Sequence, residues 1–270
     1  MGKDKQAPEI YVIMSVYNGE LYVKEAIESI LNQTFSIFEF LIIEDASKDK
    51  CLKIIQSYEK KDKRITLFMN EENKGLTKNF NFLLKQSKWE FVARMDCDDI
   101  SEPEGLQIQL QSIKKKKIDI LGTQAININE KGDYISDRNV PTTHQEIDKM
   151  LPKLNPLIHP TILFKRSSLL KRKGYDEKYR TSQDYALWFK AVANGLKIEN
   201  LDLKLLRNRI NENYLKRKTL KYHLNDYKIK KEGFKLLQLP FYMYFFLIIP
   251  LILSITPQFL YKYLKKMDPR

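Results

Sequence analysis

The stretch Ala93-Arg94-Met95-Asp96-Cys97-Asp98-Asp99 follows an apolar run that begins at Trp89 and is typical of a buried strand. It places three carboxylates in four positions, where that strand is expected to end. In an open α/β sheet, ligands bind at the carboxyl ends of the strands. Crowded carboxylates repel one another unless a cation is present, and Mg²⁺ or Mn²⁺ takes oxygen ligands while keeping positions open for phosphate. The stretch therefore predicts a metal-diphosphate site.

The same residues also fit a simpler role at the start of a helix. Asp99 or Ser101 would be the N-cap, and the proline and glutamate that follow suit a first helical turn. The two interpretations are compatible, because Asp99 can cap the helix while Asp96 and Asp98 bind the metal. We expect Asp99 to be the cap.

Strand-like and helix-like patterns alternate through the first hundred residues. Apolar runs predict strands over residues 10–16, 38–43, 65–69 and 90–95, and apolar residues at helical spacing predict the intervening helices over 21–31, up to about 58, and 76–86. Later segments predict a strand over 118–122, a hairpin turn at 129–133, a loop entering a strand over 155–165 and a helix over 182–193. The fold class is therefore α/β, with a mostly parallel central sheet and flanking helices.

Length and composition bound the possibilities further. A chain of 270 residues forms one large α/β domain or two small ones. Its two cysteines lie far apart without metal-ligand spacing, and its polar N-terminus shows no secretory signal, so we expect a reduced, cytoplasmic protein. The glycine spacing contains neither a dinucleotide-binding fingerprint nor a P-loop, which argues against NAD and ATP.

The positive charge is concentrated at the C-terminal end. The net charge of the chain is +13, and residues 204–270 hold 15 Lys and Arg against four acidic residues. Within this part, residues 236–261 carry no formal charge, contain three prolines and are flanked by lysines. An in-plane or re-entrant helical hairpin bent near Pro250, a single membrane span, and a helix packed on the protein's own core or on a partner are all compatible with this pattern. We expect a helical tail that associates with an anionic membrane surface.

Four further motifs accompany the acidic cluster: Ser15-Val16-Tyr17-Asn18 followed by Glu20, Glu44-Asp45-Ala46-Ser47, Asn73-Lys74-Gly75-Leu76 and Ser182-Gln183-Asp184-Tyr185. Together, over about residues 8–205, they resemble the family 2 inverting glycosyltransferases of the GT-A fold, of the bacterial surface-polysaccharide type. The resemblance implies a GT-A catalytic domain over 1–205, with a nucleotide-binding half over about 8–100 and an acceptor-binding half over about 101–205. Residues 206–270 then form the basic, apolar helical tail.

The resemblance also implies roles for individual residues. Asp45 would accept the N3–H of uracil, although alone it would be read as an Asx-turn residue. Asp184 would be the general base, although a carboxylate in a first helical turn is also favoured by the helix dipole. His159 and Gln183 would contact the acceptor, although a lone His in a loop is often structural. The residues implied to bind the nucleotide-sugar are Ser15, Tyr17, Asn18, Glu20, Asp45, Lys74, Gly75, Arg94 and Asp96.

The family's acidic motif corresponds to Asp96 and Asp98, which would hold Mn²⁺ or Mg²⁺ on the diphosphate. The implied activity is inverting transfer of one sugar from a nucleotide-sugar, with UDP favoured, to a hydroxyl of a glycan acceptor. The basic tail suggests a polyprenyl-diphosphate-linked acceptor and a peripheral or re-entrant location on the inner face of the cell membrane. Two alternatives are less well supported. An inactive sugar-nucleotide-binding subunit would not need Asp45, Asp96, Asp98 and Asp184, which are all present. A basic nucleic-acid-binding protein lacks any recognised motif here, so we expect no nucleic-acid partner. No motif encodes the sugar, the acceptor, the linkage or the oligomeric state.

Overall fold

The computed structural model of the protein describes residues 9–210 and 220–248. Its strands are β1 (Ile10–Val16), β2 (Phe38–Glu44), β3 (Ile65–Met69), β4 (Phe91–Asp96), β5 (Ile100–Ser101), β6 (Ile120–Ile128), β7 (Tyr134–Arg138), β8 (Leu163–Lys165) and β9 (Ile198–Arg209). Its α-helices are α1 (Val23–Leu31), α2 (Cys51–Glu59), α3 (Leu76–Gln86), α4 (Gly105–Lys116), α5 (His144–Met150), α6 (Arg166–Leu170), α7 (Gln183–Ala193) and α8 (Leu220–Leu236). Two 3-10 helices cover His159–Thr161 and Phe241–Leu247.

The strands form one sheet in the order β3-β2-β1-β4-β8-β6-β9-β5, and β7 pairs with β6. The strands β3, β2, β1 and β4 are mutually parallel, and β6 is parallel to β9. Strand β8 is antiparallel to both β4 and β6 and joins these two groups. The predicted α/β class with a mostly parallel sheet is therefore confirmed.

Two apolar cores lie on opposite faces of the sheet, because alternate residues of a strand point to opposite sides. Val12 packs in one core with helices α1, α2 and α4. Ile13 packs in the other core with α3, α7 and α8. This layering leaves the carboxyl ends of β1, β2 and β4 together at one edge of the sheet.

The described part of the predicted tail packs on the second core. Ile229 and Phe234 of α8 and Leu247 of the last 3-10 helix are buried there. A Cβ at Gly233 would lie 2.4 Å from the Phe189 ring, so this glycine allows α7 and α8 to approach closely. In residues 9–210 and 220–248 no helix combines the length and apolarity that a bilayer span requires. Residues 249–261 of the predicted membrane segment lie outside the described residues.

Around β9 the structure corrects one sequence-based expectation, and another stays a prediction. The domain boundary expected at residue 205 stays a prediction, and β9 continues past that residue to Arg209. The predicted N-cap role of Asp99 or Ser101 is wrong, because α4 begins at Gly105 with Glu104 as its N-cap residue. The Asp99 carboxylate instead accepts the Arg209 backbone N–H at 2.8 Å, a donor that sequence spacing does not reveal.

Candidate active site

The parallel register brings three of the predicted site residues to one edge of the sheet. Ser15 lies beside Ile43 of β2 on one side and beside Asp96 of β4 on the other. The backbone N–H of Asp45 donates to the Val16 carbonyl at 2.9 Å, so Asp45 directly follows the end of the β1–β2 ladder. The motifs after β1, β2 and β4 are thus neighbours in space.

The loops that follow β1 and β2 are bonded to each other. Four backbone N–H groups donate to side chains of the opposite loop: Asn18 N–H to Ser47 Oγ at 3.0 Å, Lys48 N–H to Asn18 Oδ1 at 2.9 Å, Glu20 N–H to Asp49 Oδ2 at 2.8 Å and Lys50 N–H to Glu20 Oε2 at 2.7 Å. Asn18 and Ala46 adopt left-handed backbone conformations in these turns, with φ of 51° and 59°. Asn18 and Glu20 therefore hold the two loops together, and the Tyr17 ring beside them is 46% exposed.

Asp45 is buried and accepts three N–H groups of the protein. Its Oδ1 accepts from Asn70 Nδ2 at 2.7 Å and from the Lys74 backbone N–H at 2.9 Å, and its Oδ2 accepts from the Gly75 backbone N–H at 2.9 Å. Gly75 has a φ of +84°, a conformation that suits glycine. The structure thus joins the predicted residues Asp45, Lys74 and Gly75, and contact with uracil stays a prediction.

Sequence reasoning missed two amides that extend this network. Asn70 Nδ2 also donates to Asn79 Oδ1 at 2.9 Å, and Asn79 Nδ2 donates to Ser15 Oγ at 2.9 Å. A continuous chain of side-chain hydrogen bonds therefore links the ends of β1 and β2. Asn70 directly follows β3, so the rule that found the other strand-end residues could also have found it.

The predicted acidic cluster is present at the end of β4. Carboxylate oxygens of Asp96, Asp98 and Asp99 lie within 4.8 Å of one another. Burial raises the pKa of Asp99 well above its usual range, and the charges of Asp98 and Asp96 raise it further. Crowded carboxylate oxygens of this kind are the donor set that Mg²⁺ and Mn²⁺ prefer, so Asp96 and Asp98 fit the predicted metal site.

Arg209 holds the acidic turn from the far end of β9. Its side chain is almost fully buried and stacks over Tyr22, with 4.4 Å between the guanidinium carbon and the ring centre. Its guanidinium donates to four oxygens: the Asp98 carbonyl at 2.9 Å, the Asn129 carbonyl at 3.0 Å, the Glu130 carbonyl at 2.9 Å and Glu25 Oε2 at 2.6 Å. No sequence signal pointed to Arg209, which lies more than a hundred residues from the acidic turn.

Arg94 lies beneath the acidic turn. Its guanidinium donates to Asp96 and sits 5.3 Å from the centre of the Phe80 ring. Below it, His159 Nε2 and the Tyr175 hydroxyl are 2.8 Å apart and share a hydrogen bond. Burial holds the pKa of His159 well below its usual range, and the Arg94 charge lowers it further. Arg94 thus bonds the acidic turn from the protein interior, and contact of His159 with an acceptor stays a prediction.

Asp184 occupies the first turn of α7, as predicted from its spacing. Asn155, which sequence reasoning placed only at the start of a loop, donates from Nδ2 to Asp184 Oδ2 at 2.7 Å. Burial raises the pKa of Tyr175, and the charges of Asp184 and Asp96 raise it further. The neighbouring Gln183 is 6% exposed, and its contact with an acceptor stays a prediction.

The segment before α7 contacts the start of α3. Thr77 Oγ1 in the first turn of α3 donates to the Tyr179 carbonyl at 2.9 Å. An Arg180 guanidinium nitrogen lies 3.6 Å from the position that a Gly75 Cβ would occupy. Because Gly75 is also bonded to Asp45, this segment links the Asp184 helix to the strand-end network. The arrangement offers a carboxylate cluster that fits a cation at the end of β4 and a separate carboxylate, Asp184, in the first turn of α7.

Comparisons with known sequences identify the family of the chain. Residues 11–173 match the sequence model of Glycosyl transferase family 2. The chain is 34% identical to an uncharacterized glycosyltransferase of Methanocaldococcus jannaschii, over 95% of this chain and 92% of that one. It is 34% identical to the O-antigen biosynthesis glycosyltransferase WbnJ of Escherichia coli, over 79% and 84% of the two chains. It is 30% identical to the Escherichia coli UDP-Gal:alpha-D-GlcNAc-diphosphoundecaprenol beta-1,3-galactosyltransferase, over 82% of each chain.

Solved structures share the fold. TarS of S. aureus in complex with UDP has a TM-score of 0.68 and 20% identity, covering 96% of this chain and 78% of TarS 1-349. The mannosyltransferase PcManGT of Pyrobaculum calidifontis, in complex with GDP-Man and Mn²⁺, has a TM-score of 0.66 and 14% identity, covering 97% and 79% of the two chains. The similarity at this level of identity is one of fold.

Proposed function

The chain belongs to glycosyl transferase family 2 and has the GT-A fold, and on that premise we propose that it transfers one sugar from a UDP-sugar to a hydroxyl of a lipid-linked glycan, with inversion at the anomeric carbon. One observation carries the proposal: Asp45, Asp96 and Asp98 lie at the carboxyl ends of β2 and β4, the two parallel strands that flank β1. Nucleotides bind at this edge of such sheets.

The nucleotide is proposed to bind across the ends of β1 and β2. The cross-bonded loops that contain Asn18 and Glu20 form one wall, and the exposed Tyr17 ring offers a face on which a base can stack. Ser15 and Asp45 lie at the base of this region, joined by Asn70 and Asn79. UDP as the donor nucleotide is supported by the UDP complex of TarS and by the UDP-Gal donor in the name of the Escherichia coli relative.

The diphosphate is proposed to lie at the acidic turn, with Asp96 and Asp98 as ligands of Mn²⁺ or Mg²⁺. Such a cation neutralises charge that develops on a departing diphosphate. The protein's own part is to hold the carboxylates in place: Arg94 bonds Asp96, and Arg209 bonds the Asp98 carbonyl. The Mn²⁺ complex of PcManGT supports a metal of this class.

Asp184 is proposed to be the general base. In the transfer step the acceptor oxygen forms a bond to the anomeric carbon, and the bond from that carbon to the diphosphate oxygen breaks on the opposite face. The proton of the acceptor hydroxyl goes to the Asp184 carboxylate. The hydrogen bond from Asn155 orients this carboxylate and stabilises its charged form.

The acceptor is proposed to be a polyprenyl-diphosphate-linked glycan at the inner face of the cell membrane. The diphosphoundecaprenol acceptor in the name of the Escherichia coli relative supports it. The apolar side chains of the last 3-10 helix also support it, because Phe241 is 89%, Tyr242 73% and Phe245 66% exposed. Aromatic side chains beside lysines suit the interface of an anionic bilayer. We accordingly propose that the membrane-association region lies within residues 206–270, after the end of β9 at Arg209, and that the preceding residues form the catalytic domain.

Purified full-length chain should release nucleotide from one of a panel of UDP-, GDP- and dTDP-sugars when Mn²⁺ is added. In Asp184→Asn the release should fall by about 10²–10⁴-fold, the usual contribution of a general base. Asp202→Asn, at an exposed position of β9, is the matched control and should behave as wild type. Release at equal rates from wild type and Asp184→Asn would exclude Asp184 as the base.

Membrane binding is tested separately by flotation with vesicles of neutral or anionic phospholipid. The double variant Phe241→Ser/Phe245→Ser should float less with anionic vesicles than wild type, whereas Tyr134→Ser, which is exposed in β7, should not change. An unchanged double variant would contradict this role of the aromatic side chains. Binding to RNA in preference to anionic vesicles would support the nucleic-acid alternative. No contact among the described residues favours an inactive subunit.

A further inference from the structure

Helix α8 buries charged and polar side chains on one face. His223 is 2% exposed, Asp226 0% and Lys230 1%, and their spacing of three and four residues aligns them along the helix. Burial of a charged group is costly unless it is paired and hydrogen-bonded. The apolar contacts of Ile229, Phe234 and Gly233 already hold α8 against α7, so packing of the helix does not itself require this polar face.

Asp226 bonds Ser182, the N-cap residue of α7. Ser182 Oγ donates to Asp226 Oδ1 at 2.7 Å. Ser182 adopts a φ of 53°, a left-handed conformation that serine rarely takes, so its place depends on contacts from elsewhere in the protein. The neighbouring Asn225 Nδ2 donates to the Thr181 carbonyl at 2.7 Å. These two bonds hold the entry to α7 only two residues before Asp184.

Lys230 bonds the segment that contains Asn155, the hydrogen-bond partner of Asp184. Its Nζ donates to the Lys153 carbonyl at 2.7 Å, two residues before Asn155. Asn155 in turn donates to Asp184 at 2.7 Å. The Tyr185 hydroxyl donates to the Leu151 carbonyl at 2.6 Å and ties the same two segments together. One helix face therefore contacts both segments whose meeting forms the Asn155–Asp184 hydrogen bond.

We infer that Asp226 and Lys230 are positioning residues that fix the Asp184 carboxylate against Asn155 by holding residues 181–182 and 153–155. The inference rests on the proposed role of Asp184 as the base, and it adds which residues orient the Asp184 carboxylate. Residues 174–248 lie beyond the segment that matches the family model, which ends at residue 173. The arrangement also makes the helix that leads to the exposed aromatic side chains a structural part of the active site.

Amide hydrogen exchange of the full-length chain tests the inference without depending on a donor. Lys230→Met removes the ammonium donor and keeps most of the stem, and Ser182→Ala removes the hydroxyl that bonds Asp226. Exchange should accelerate about tenfold in residues 150–156 for Lys230→Met and in residues 181–187 for Ser182→Ala, as expected for loss of a hydrogen bond to a charged group. Lys228→Met, an exposed site on the same helix, should leave both segments unchanged.

Kinetics on the donor that the nucleotide screen identifies provide the second readout. In both variants kcat should fall about tenfold and the donor KM should not change. The residues proposed to bind the nucleotide-sugar and the metal lie between Ser15 and Asp98, outside the two segments that these variants loosen. Combining Lys230→Met with Asn155→Ala should cost no more than the larger single change, since both act through the same hydrogen bond.

The outcomes separate the inference from the proposed function. Exchange rates equal to those of Lys228→Met would overturn it, and so would accelerated exchange with an unchanged kcat. A wild-type chain that releases nucleotide from no donor refutes the proposed function, whereas the exchange rates still decide whether α8 holds the two segments.

Discussion

The substitution Asp45→Asn tests whether this carboxylate holds together the loops at the proposed nucleotide site. Asp45 is 2% exposed. Its two oxygens accept the Asn70 amide, the Lys74 backbone N–H and the Gly75 backbone N–H. An asparagine has a single acceptor oxygen, so whichever way its amide is turned, its NH₂ group faces at least one of these N–H donors.

The expected magnitude follows from that count. If the amide oxygen replaces Oδ1, the Gly75 N–H loses its acceptor, and the two bonds that remain are made to a neutral oxygen. A hydrogen bond to a charged group contributes about 1.5–3 kcal/mol, and a neutral one about 0.5–1.5 kcal/mol. We therefore expect Asp45→Asn to lower the free energy of unfolding by about 2–4 kcal/mol.

Urea denaturation measures this loss. The two tryptophans, Trp89 and Trp188, supply a fluorescence signal, and the unfolding free energies are extrapolated linearly to water. Asp202→Asn, at an exposed position of β9, has the same change in charge and should shift the unfolding free energy by less than about 0.5 kcal/mol. A loss below about 1 kcal/mol for Asp45→Asn, with an unchanged denaturant slope, would refute the reasoning.

Three further outcomes are expected. Asp98→Asn should abolish stabilisation by Mn²⁺, which for one site amounts to about 2.7 kcal/mol at a hundred times Kd in wild type, as measured by unfolding with and without the ion. Burial holds the pKa of His159 below its usual range, so the unfolded state binds the extra proton below about pH 6.5. Relative to His159→Gln, the free energy of unfolding of wild type should consequently fall by about 1.2 kcal/mol on acidification from pH 6 to 5, as measured by urea denaturation at each pH. Gly174→Ala should lower the unfolding free energy by about 1–3 kcal/mol, since Gly174 has a φ of +60° and a Cβ there would lie 2.4 Å from Asn81 Oδ1.

Much of the fold was predictable because its signals are local. The helix periodicity and apolar runs identified β1 to β4 and α1 to α3, and the polar motifs after β1, β2 and β4 met at one edge as parallel strands require. Strand β9 was not predicted, since its exposed and buried residues do not alternate regularly along its twelve residues. Part of the predicted tail also packs on the core, because α8 has an apolar face that Phe189 and α7 cover.

The supporting residues of the site were less accessible to sequence reasoning. Asn155 bonds Asp184 across 29 positions of the chain. Arg209 bonds the Asp98 carbonyl of the acidic turn across 111 positions. Asp99 illustrates the same limit: its neighbours in sequence suggest a helix cap, whereas its partner is the backbone of β9. Contacts of this range depend on the path of the whole chain and leave no periodic signal.

The sequence by itself determined the α/β class, the family resemblance and the residue types available for metal, nucleotide and proton chemistry, because these depend on local patterning and on motifs at strand ends. Only the tertiary structure decided how those residues are held. Three sets of hydrogen bonds join segments that are distant in the chain. They are the bonds to the Asp45 carboxylate, the bonds from Arg209 at the acidic turn, and the bonds from α8 to the segments beside Asp184. Hydrogen bonds require donor and acceptor within about 3 Å of each other, and only the folded chain brings such segments that close.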